Sequence, residues 1–320
     1  MAEVGLHDLH VDSWLTNLSI GYKNPVYIAD TVFPTIPVQR QSNLIPRYDQ
    51  SPWFRNQAHN RAPGTIPHRD GFTVSSTLYS CLQYSFGFEI PDEYRDNTDA
   101  PYDLDRDGTA FVTDRLQMAR EIQAATDYFK PAVWGSNHTV GVGPGQFVIW
   151  DDYADSQPLM DITNWQEEVV GKGIPTPNTL VIGSEVWVKL KWHPNLTGIM
   201  PTDEVRVFSL ELLRTSLELD RVLVGKALYT PSLAGTAEAS VTYNRIWGKN
   251  ALVVYIAPSP ALMTPSAGYT FVWNRVPNAL QYISRVREDN RYQDVINGFS
   301  HWDTRVLVPN AGEFASGVVS

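Results

Sequence analysis

The chain has 320 residues, 43% apolar and 19% charged, with 35 acidic against 25 basic side chains and a formal charge of −10. That suffices for one large or two modest cores and excludes a disordered polyelectrolyte, while the acidic balance argues against the broad basic face with which proteins grip nucleic acid. The longest uncharged apolar runs, such as residues 251–257, fall far short of the ~20 residues of a membrane-spanning helix. The opening MAEVGLHDLHVD has no basic region followed by an apolar one, so a soluble, unexported protein without a membrane partner is expected. Cys81 stands alone, which excludes an intrachain disulfide and suits a reducing compartment. The sequons at Asn17, Asn137 and Asn195 then carry no meaning.

Residues 1–38 hold a short amphipathic segment at 11–18 and the proline-punctuated run NPVYIADTVFPTIPV. So few contiguous apolar residues form no core of their own, and the segment reads as an arm that leans on something else. Residues 39–90 are β-rich: a polar stretch with Trp53 and Phe54, the turn-rich RAPGTIPHRDG, then TVSSTLYSCLQYSFGFEI. In the last, Leu78, Ser80, Leu82, Tyr84 and Phe86 share one strand face, and Tyr79, Cys81, Gln83 and Ser85 the other. Two strands around a Pro/Gly-rich tip predict a long hairpin whose edge needs a neighbour.

Residues 91–175 open with the clearest helix, expected over about 109–129 and roughly 30 Å long. Phe111, Val112, Leu116, Met118, Ile122, Ala125 and Phe129 fall on one side, with Asp114, Gln117, Glu121 and Asp127 largely on the other. The acidic lead-in DLDRDG favours its N-terminus, and Pro131 stops it. Residues 176–288 alternate strand and helix signals. A strand at 179–182 is followed by Ser184 as helix N-cap and a stripe of Val186, Trp187 and Leu190 stopped by Pro194. Leu210, Leu213 and Leu217 mark a further helix, and strands are expected at 221–224, 251–256 and 269–273, which together make an α/β lobe. The tail, 289–320, returns to β character, and no internal repeat is present.

Chemistry-bearing motifs mostly fail. GVGPG at 141–145 lacks both the next glycine of GxGxxG and a GK[ST], so it is a glycine-rich turn; HExxH and GxSxG are absent. His7 and His10 could share a helix face, but no Cys or Glu lies at a matching spacing. Asp103, Asp105, Asp107 and Gly108 match the opening of a calcium loop, with Asp114 at its twelfth position. The competing reading of these aspartates, an acidic cap on the long helix, accounts for the same residues without an ion. No catalytic group and no cofactor is implied. Trp, Tyr and Phe are spread along the whole chain, and 18 of the 25 basic residues are Arg, a side chain suited to geometrically fixed subunit contacts as well as a product of compositional bias.

Three segments, PNTLVIGSEVW at 177–187, DRVLVGKALY at 220–229 and LVVYIAPSPALMTPSAGYTFVW at 252–273, resemble the major capsid proteins of tailed bacteriophages. The order of parts extends the resemblance over nearly the whole chain. It implies an α+β, HK97-like capsid fold: an N-terminal arm (1–38), an extended hairpin loop (39–90), a peripheral domain with its spine helix (91–175), an axial domain (176–288) and a β segment returning to the peripheral domain (289–320). The implied protein is a structural component, not an enzyme, and self-assembles into hexamers and pentamers of an icosahedral or prolate head. Such a head encloses double-stranded DNA, touched weakly and without specificity, and is built in the host cytoplasm into the virion.

The resemblance also implies a portal, a separate scaffolding protein, since arm-like sequence starts within about 20 residues of Met1, and a decoration protein as a candidate partner. No lysine lies between Lys23 and Lys130, so a Lys–Asn crosslink through the hairpin is not expected. Trp53, Phe54, Arg61 and Arg69 are the expected inter-subunit contacts of the hairpin. Rival readings are an encapsulin-like compartment, a tail or other virion component, and a soluble α/β hydrolase.

Overall fold

The computed structural model describes Leu15 and residues 26–48, 54–71, 74–98, 103–198, 208–233, 235–259, 266–275 and 281–320. A one-turn helix, Ala29–Val32, leads into strand β1 (Thr35–Val38) and the hairpin strands β2 (Ser42–Tyr48) and β3 (Val74–Ser80). Strand β4 (Leu82–Pro91), a short helix Asp92–Asp96 and the long helix Leu104–Tyr128 follow. Next come β5 (Ser136–Val140), β6 (Gln146–Phe147), helix Pro158–Gly171, β7 (Thr179–Gly183), helix Ser184–Leu190 and helix Leu210–Ser216. The chain continues through β8 (Arg221–Gly225), β9 (Leu228–Tyr229), β10 (Asn244–Arg245) and β11 (Ala251–Val254). It ends with β12 (Gly268–Trp273), β13 (Gln281–Glu288), β14 (Gln293–Val306) and β15 (Gly312–Ala315).

Two sheets organise these elements. The first runs β1-β12-β14-β13 with β4 on the other edge of β14. Its 14-residue strand β14 pairs with β13 over 293–300, with β12 over 302–306 and with β4 over 293–302. The long helix lies on β14 and β4. Val112 and Leu116 sit over Gly298, where a Cβ would come within 2.4 Å of Val112, so only glycine admits the helix this closely.

The second sheet has the order β6-β5-β15-β11-β7-β8. Its central strands β7 and β11 are buried at every position and feed two cores by alternation. Val181, Leu252, Val254 and Phe314 face a cluster with Tyr128, Phe129, Trp134 and Trp247. Leu180, Ile182, Ala251 and Val253 face the opposite one, with Trp150, Trp165, Leu190 and Leu213.

The long helix starts five residues before its expected position because Asp103 caps it, its carboxylate accepting the N–H groups of Asp105 and Arg106 at 3.1 and 3.2 Å. Two residues leave the faces that periodicity assigns. Phe111 is partly exposed between Phe86, Phe88 and the Arg115 guanidinium, and Glu121 is wholly buried. The stretch read as one strand through residues 74–90 is two strands, because the chain passes from the hairpin to the first sheet at Cys81, whose N–H bonds to Gln41 O. Gly183, not Ser184, occupies the cap of helix Ser184–Leu190; the Ser184 hydroxyl instead accepts from Arg245.

The sheets draw strands from several sequence regions. Strands β5 and β6, expected with the long helix, join the second sheet, while β12 and β13, expected in the α/β lobe, join the first. The returning segment 289–320 divides, with β14 in the first sheet and β15 in the second.

Candidate assembly surfaces and buried anchors

The arm is tied to its own chain over the described residues. Strand β1 runs parallel to β12, and Val32 and Phe33 are fully buried beside Tyr128 and Trp134. The turn before it is held by Glu121. Its two carboxylate oxygens accept the N–H of Ile28 (3.0 and 3.1 Å), the N–H of Ala29 (2.8 Å) and the indole N–H of Trp247 (2.6 Å). Burial pushes this carboxyl above its ordinary value, against the pull of those three donors. Next to it Arg120 pairs with Asp30 at 2.9 Å and donates to Thr35 Oγ1, and Arg221 donates to the Thr31 carbonyl. Arm, long helix and the 247 loop therefore meet on one buried carboxylate.

The hairpin β2–β3 has one docked and one open face. On the docked face Tyr79 stacks on Phe271 at 4.9 Å, and Cys81 is buried with its thiol pushed up to about 11, chiefly by desolvation. On the other, Leu44 and Leu78 are directly opposed in register and are 59% and 54% exposed, with Val74 four residues along the same face. Nearer the tip, Phe54 and Ile66 are also exposed.

Of the four expected contact residues, Trp53 lies outside the described residues. Phe54 is exposed, and its ring edge fills the space that a Cβ at Gly173 would need. Arg61 donates to the Thr65 carbonyl within the tip, and Arg69 is exposed. These three share the hairpin tip without converging on one site.

A helix occupies the calcium-loop candidate, as the acidic-cap reading of these aspartates expects. Asp103 is the cap, and Asp105 and Asp107 lie in the first turn with side chains directed by a helix, not by a loop. Asp105 is taken by Arg95 at 2.9 Å and Arg285 at 3.5 Å, and Asp114 lies further along the helix near Tyr27. Both arginines also hold Asp294 at 2.5 Å, and Arg287 pairs with Asp92, which fastens helices Asp92–Asp96 and Leu104–Tyr128 to β13 and β14.

One Ser–His pair bears on the hydrolase reading. Ser156 Oγ lies 2.8 Å from His193 Nε2, both buried. The N–H of Asn195 donates to His193 Nδ1, which puts the ring proton on Nε2, and the Ser156 hydroxyl donates to the Asp152 carbonyl. Ser156 thus accepts from the imidazole, the reverse of nucleophile activation. Periodicity missed this pair and Glu121 because their partners are distant in the chain.

No protein-family model matches the chain. It is 26% identical over 267 residues to the major capsid protein of Burkholderia phage BcepMu, covering 81% of this chain and 82% of that one. It is 25% identical over 249 residues to the major capsid protein of Pseudomonas phage JBD67, covering 77% of each. Among solved structures, a phage-related protein of Bordetella bronchiseptica superposes with a TM-score of 0.70 at 23% identity, over 97% of this chain and 98% of that one. The capsid of cyanophage P-SCSP1u gives 0.60 at 11% identity over 90% and 87%. An encapsulin of Synechococcus elongatus gives 0.52 at 9% identity over 97% and 95%. The chain is similar in sequence to phage major capsid proteins and has the α+β, HK97-like capsid fold.

Proposed function

We propose that the chain is the shell-forming subunit of a tailed-phage head, assembled in the host cytoplasm and carried in the virion. The observation that carries this reading is sequence similarity to two curated phage major capsid proteins across about four fifths of the chain, on a capsid fold. On this reading the second sheet forms the axial lobe at the centre of hexamers and pentamers. The first sheet with the long helix forms the peripheral lobe, and the hairpin reaches a neighbour.

Leu44, Val74 and Leu78 supply the apolar area for that reach, at ~25 cal/mol per Å² buried. Single contacts of this size are weak, and closed symmetry makes many of them cooperative. The formal charge of −10 suits a container wall that repels packed DNA weakly. Scaffold, portal and decoration proteins are the partners such a head uses.

Negative-stain electron microscopy of the purified chain over a concentration series, with particle mass from light scattering and co-expression with neighbouring genes where the chain stays monomeric, tests the reading. Closed shells or six-fold capsomers support it. A monomer under every condition, including co-expression, overturns it. Particles filled with protein in place of DNA would favour the encapsulin reading, for which the shared fold is the motivating observation.

A further inference from the structure

The edge of the second sheet carries a cluster to which the capsid reading assigns no role. His138 on β5 is buried, and its ring is stacked on Trp165 of helix Pro158–Gly171 at 4.9 Å and 21°. Its Nδ1 faces the carbonyl of Gly145 at 3.3 Å, a carbonyl presented by the GVGPG turn, where Gly145 takes a left-handed φ of 74°. A carbonyl only accepts, so Nδ1 carries a proton and Nε2 is turned the other way. Nε2 meets two carboxylates: Glu313 Oε2 of β15 at 3.2 Å and Glu168 Oε2 of the helix at 3.7 Å. The three ligand-type atoms all lie within 4.8 Å of one another.

The geometry points to a divalent transition-metal site, with Zn2+ as its chemical type, formed by His138 Nε2, Glu313 Oε2 and Glu168 Oε2. Zn–N and Zn–O bonds of about 2.0–2.2 Å in a tetrahedron put neighbouring ligand atoms roughly 3.4 Å apart, between the two distances from Nε2. A ring nitrogen fixed by a carbonyl behind it is the arrangement that metal-binding histidines use to present the other nitrogen. Calcium and magnesium prefer six or more oxygen ligands, which one imidazole and two carboxylates do not offer.

The remaining groups fit the charge. Lys172 Nζ holds the other oxygen of Glu313 and Ser136 Oγ, so it steadies that carboxylate and leaves Oε2 in place. Glu168 is about half exposed, so an ion has a path from solvent and room for water as a fourth ligand. Bound there, the ion would staple β15 to β5 and to the helix that covers them. Without it, the same atoms form a Lys172–Glu313 ion pair with the His138 imidazole beside it.

The full-length chain, purified without a histidine tag and treated with chelator, separates the two states. Titration with Co2+ alone should give the intense visible bands of a tetrahedral site, saturating at one equivalent and bleached by Zn2+. Because Glu168 is half exposed, Glu168→Gln should fold normally by near-ultraviolet circular dichroism and bind at least tenfold more weakly, the lower end of what loss of a supporting group costs a metal site. His138→Gln should abolish the spectrum, and Zn2+ should raise the melting temperature of the parent chain more than that of Glu168→Gln. Parent chain that stays spectroscopically silent at micromolar Co2+, or a folded Glu168→Gln protein that binds as tightly as the parent, would overturn the assignment in favour of the ion pair.

Discussion

Replacing Glu121 by alanine should free the arm without unfolding the lobes. The substitution removes the acceptor of three buried donors, the N–H groups of Ile28 and Ala29 and the indole of Trp247. Each unsatisfied donor costs about 1–3 kcal/mol, so about 3–9 kcal/mol is the ceiling. Removing a buried carboxylate that has no direct cation partner in its hydrogen-bond set also recovers several kcal/mol of its desolvation. Water entering the space lowers the cost further, and a net loss of about 2–4 kcal/mol follows.

Glu121→Gln keeps one accepting oxygen and turns an NH2 group toward a donor, so its loss should be smaller. The pH dependence has a definite sign. A folded-state value raised above the ordinary 4.5 means that the folded chain binds the proton more readily than the unfolded chain. The stability that Glu121 contributes is therefore greatest below 4.5 and falls as pH rises through the raised value, so the deficit of Glu121→Gln should narrow as pH rises from 4.5 through that value. Urea melts of unassembled protein give the energies, and hydrogen exchange at Ile28 and Ala29 reads the two backbone donors directly. Trp247→Phe should cost less in the Glu121→Ala background than alone. Unchanged protection at Ile28 and Ala29 in Glu121→Ala, or a loss below about 1 kcal/mol, would refute the reasoning.

Leu78→Asp on the open hairpin face should leave the urea midpoint of the unassembled chain within about 0.5 kcal/mol of the parent while sharply lowering particle yield by light scattering; normal particles would remove this face from the assembly reading. Burial opposes ionisation of Asp294, but Arg285 and Arg95 bring its carboxyl below the ordinary 3.8. Its contribution is thus present above pH 3.8 and lost as pH falls through the lowered value, so Asp294→Asn should be destabilised at pH 6 and converge on the parent in an acid titration. The Cys81 thiol, buried and raised to about 11, should resist a disulfide reagent in the folded chain and react promptly in urea; fast labelling under native conditions would show that the hairpin root opens.

Alternation and helical periodicity located β7, β8, β11, β12 and the long helix because each carries a contiguous apolar face whose pattern is local. The same logic placed Glu121 with the solvent-facing residues, since periodicity weighs a side chain by its type and not by what another segment brings to it. Its partners lie 92, 93 and 126 residues away, at Ala29, Ile28 and Trp247, and no spacing rule spans that range. His138 and Glu313 are 175 residues apart and become neighbours only because β15 pairs in parallel with β5. The assignment of strands to sheets was illegible for a related reason: β12 and β15 are both short and mostly apolar, and nothing local says that one joins β14 and the other β11. What decides it is the register of long strand β14, whose 14 residues carry three partners, and the buried carboxylates that fasten the arm and the last strand. A chain that puts two of its least soluble charges, Glu121 and Glu313, at the joints between distant segments specifies those joints by polar matching: a wrongly placed arm or terminal strand would leave a carboxylate unpartnered in the core.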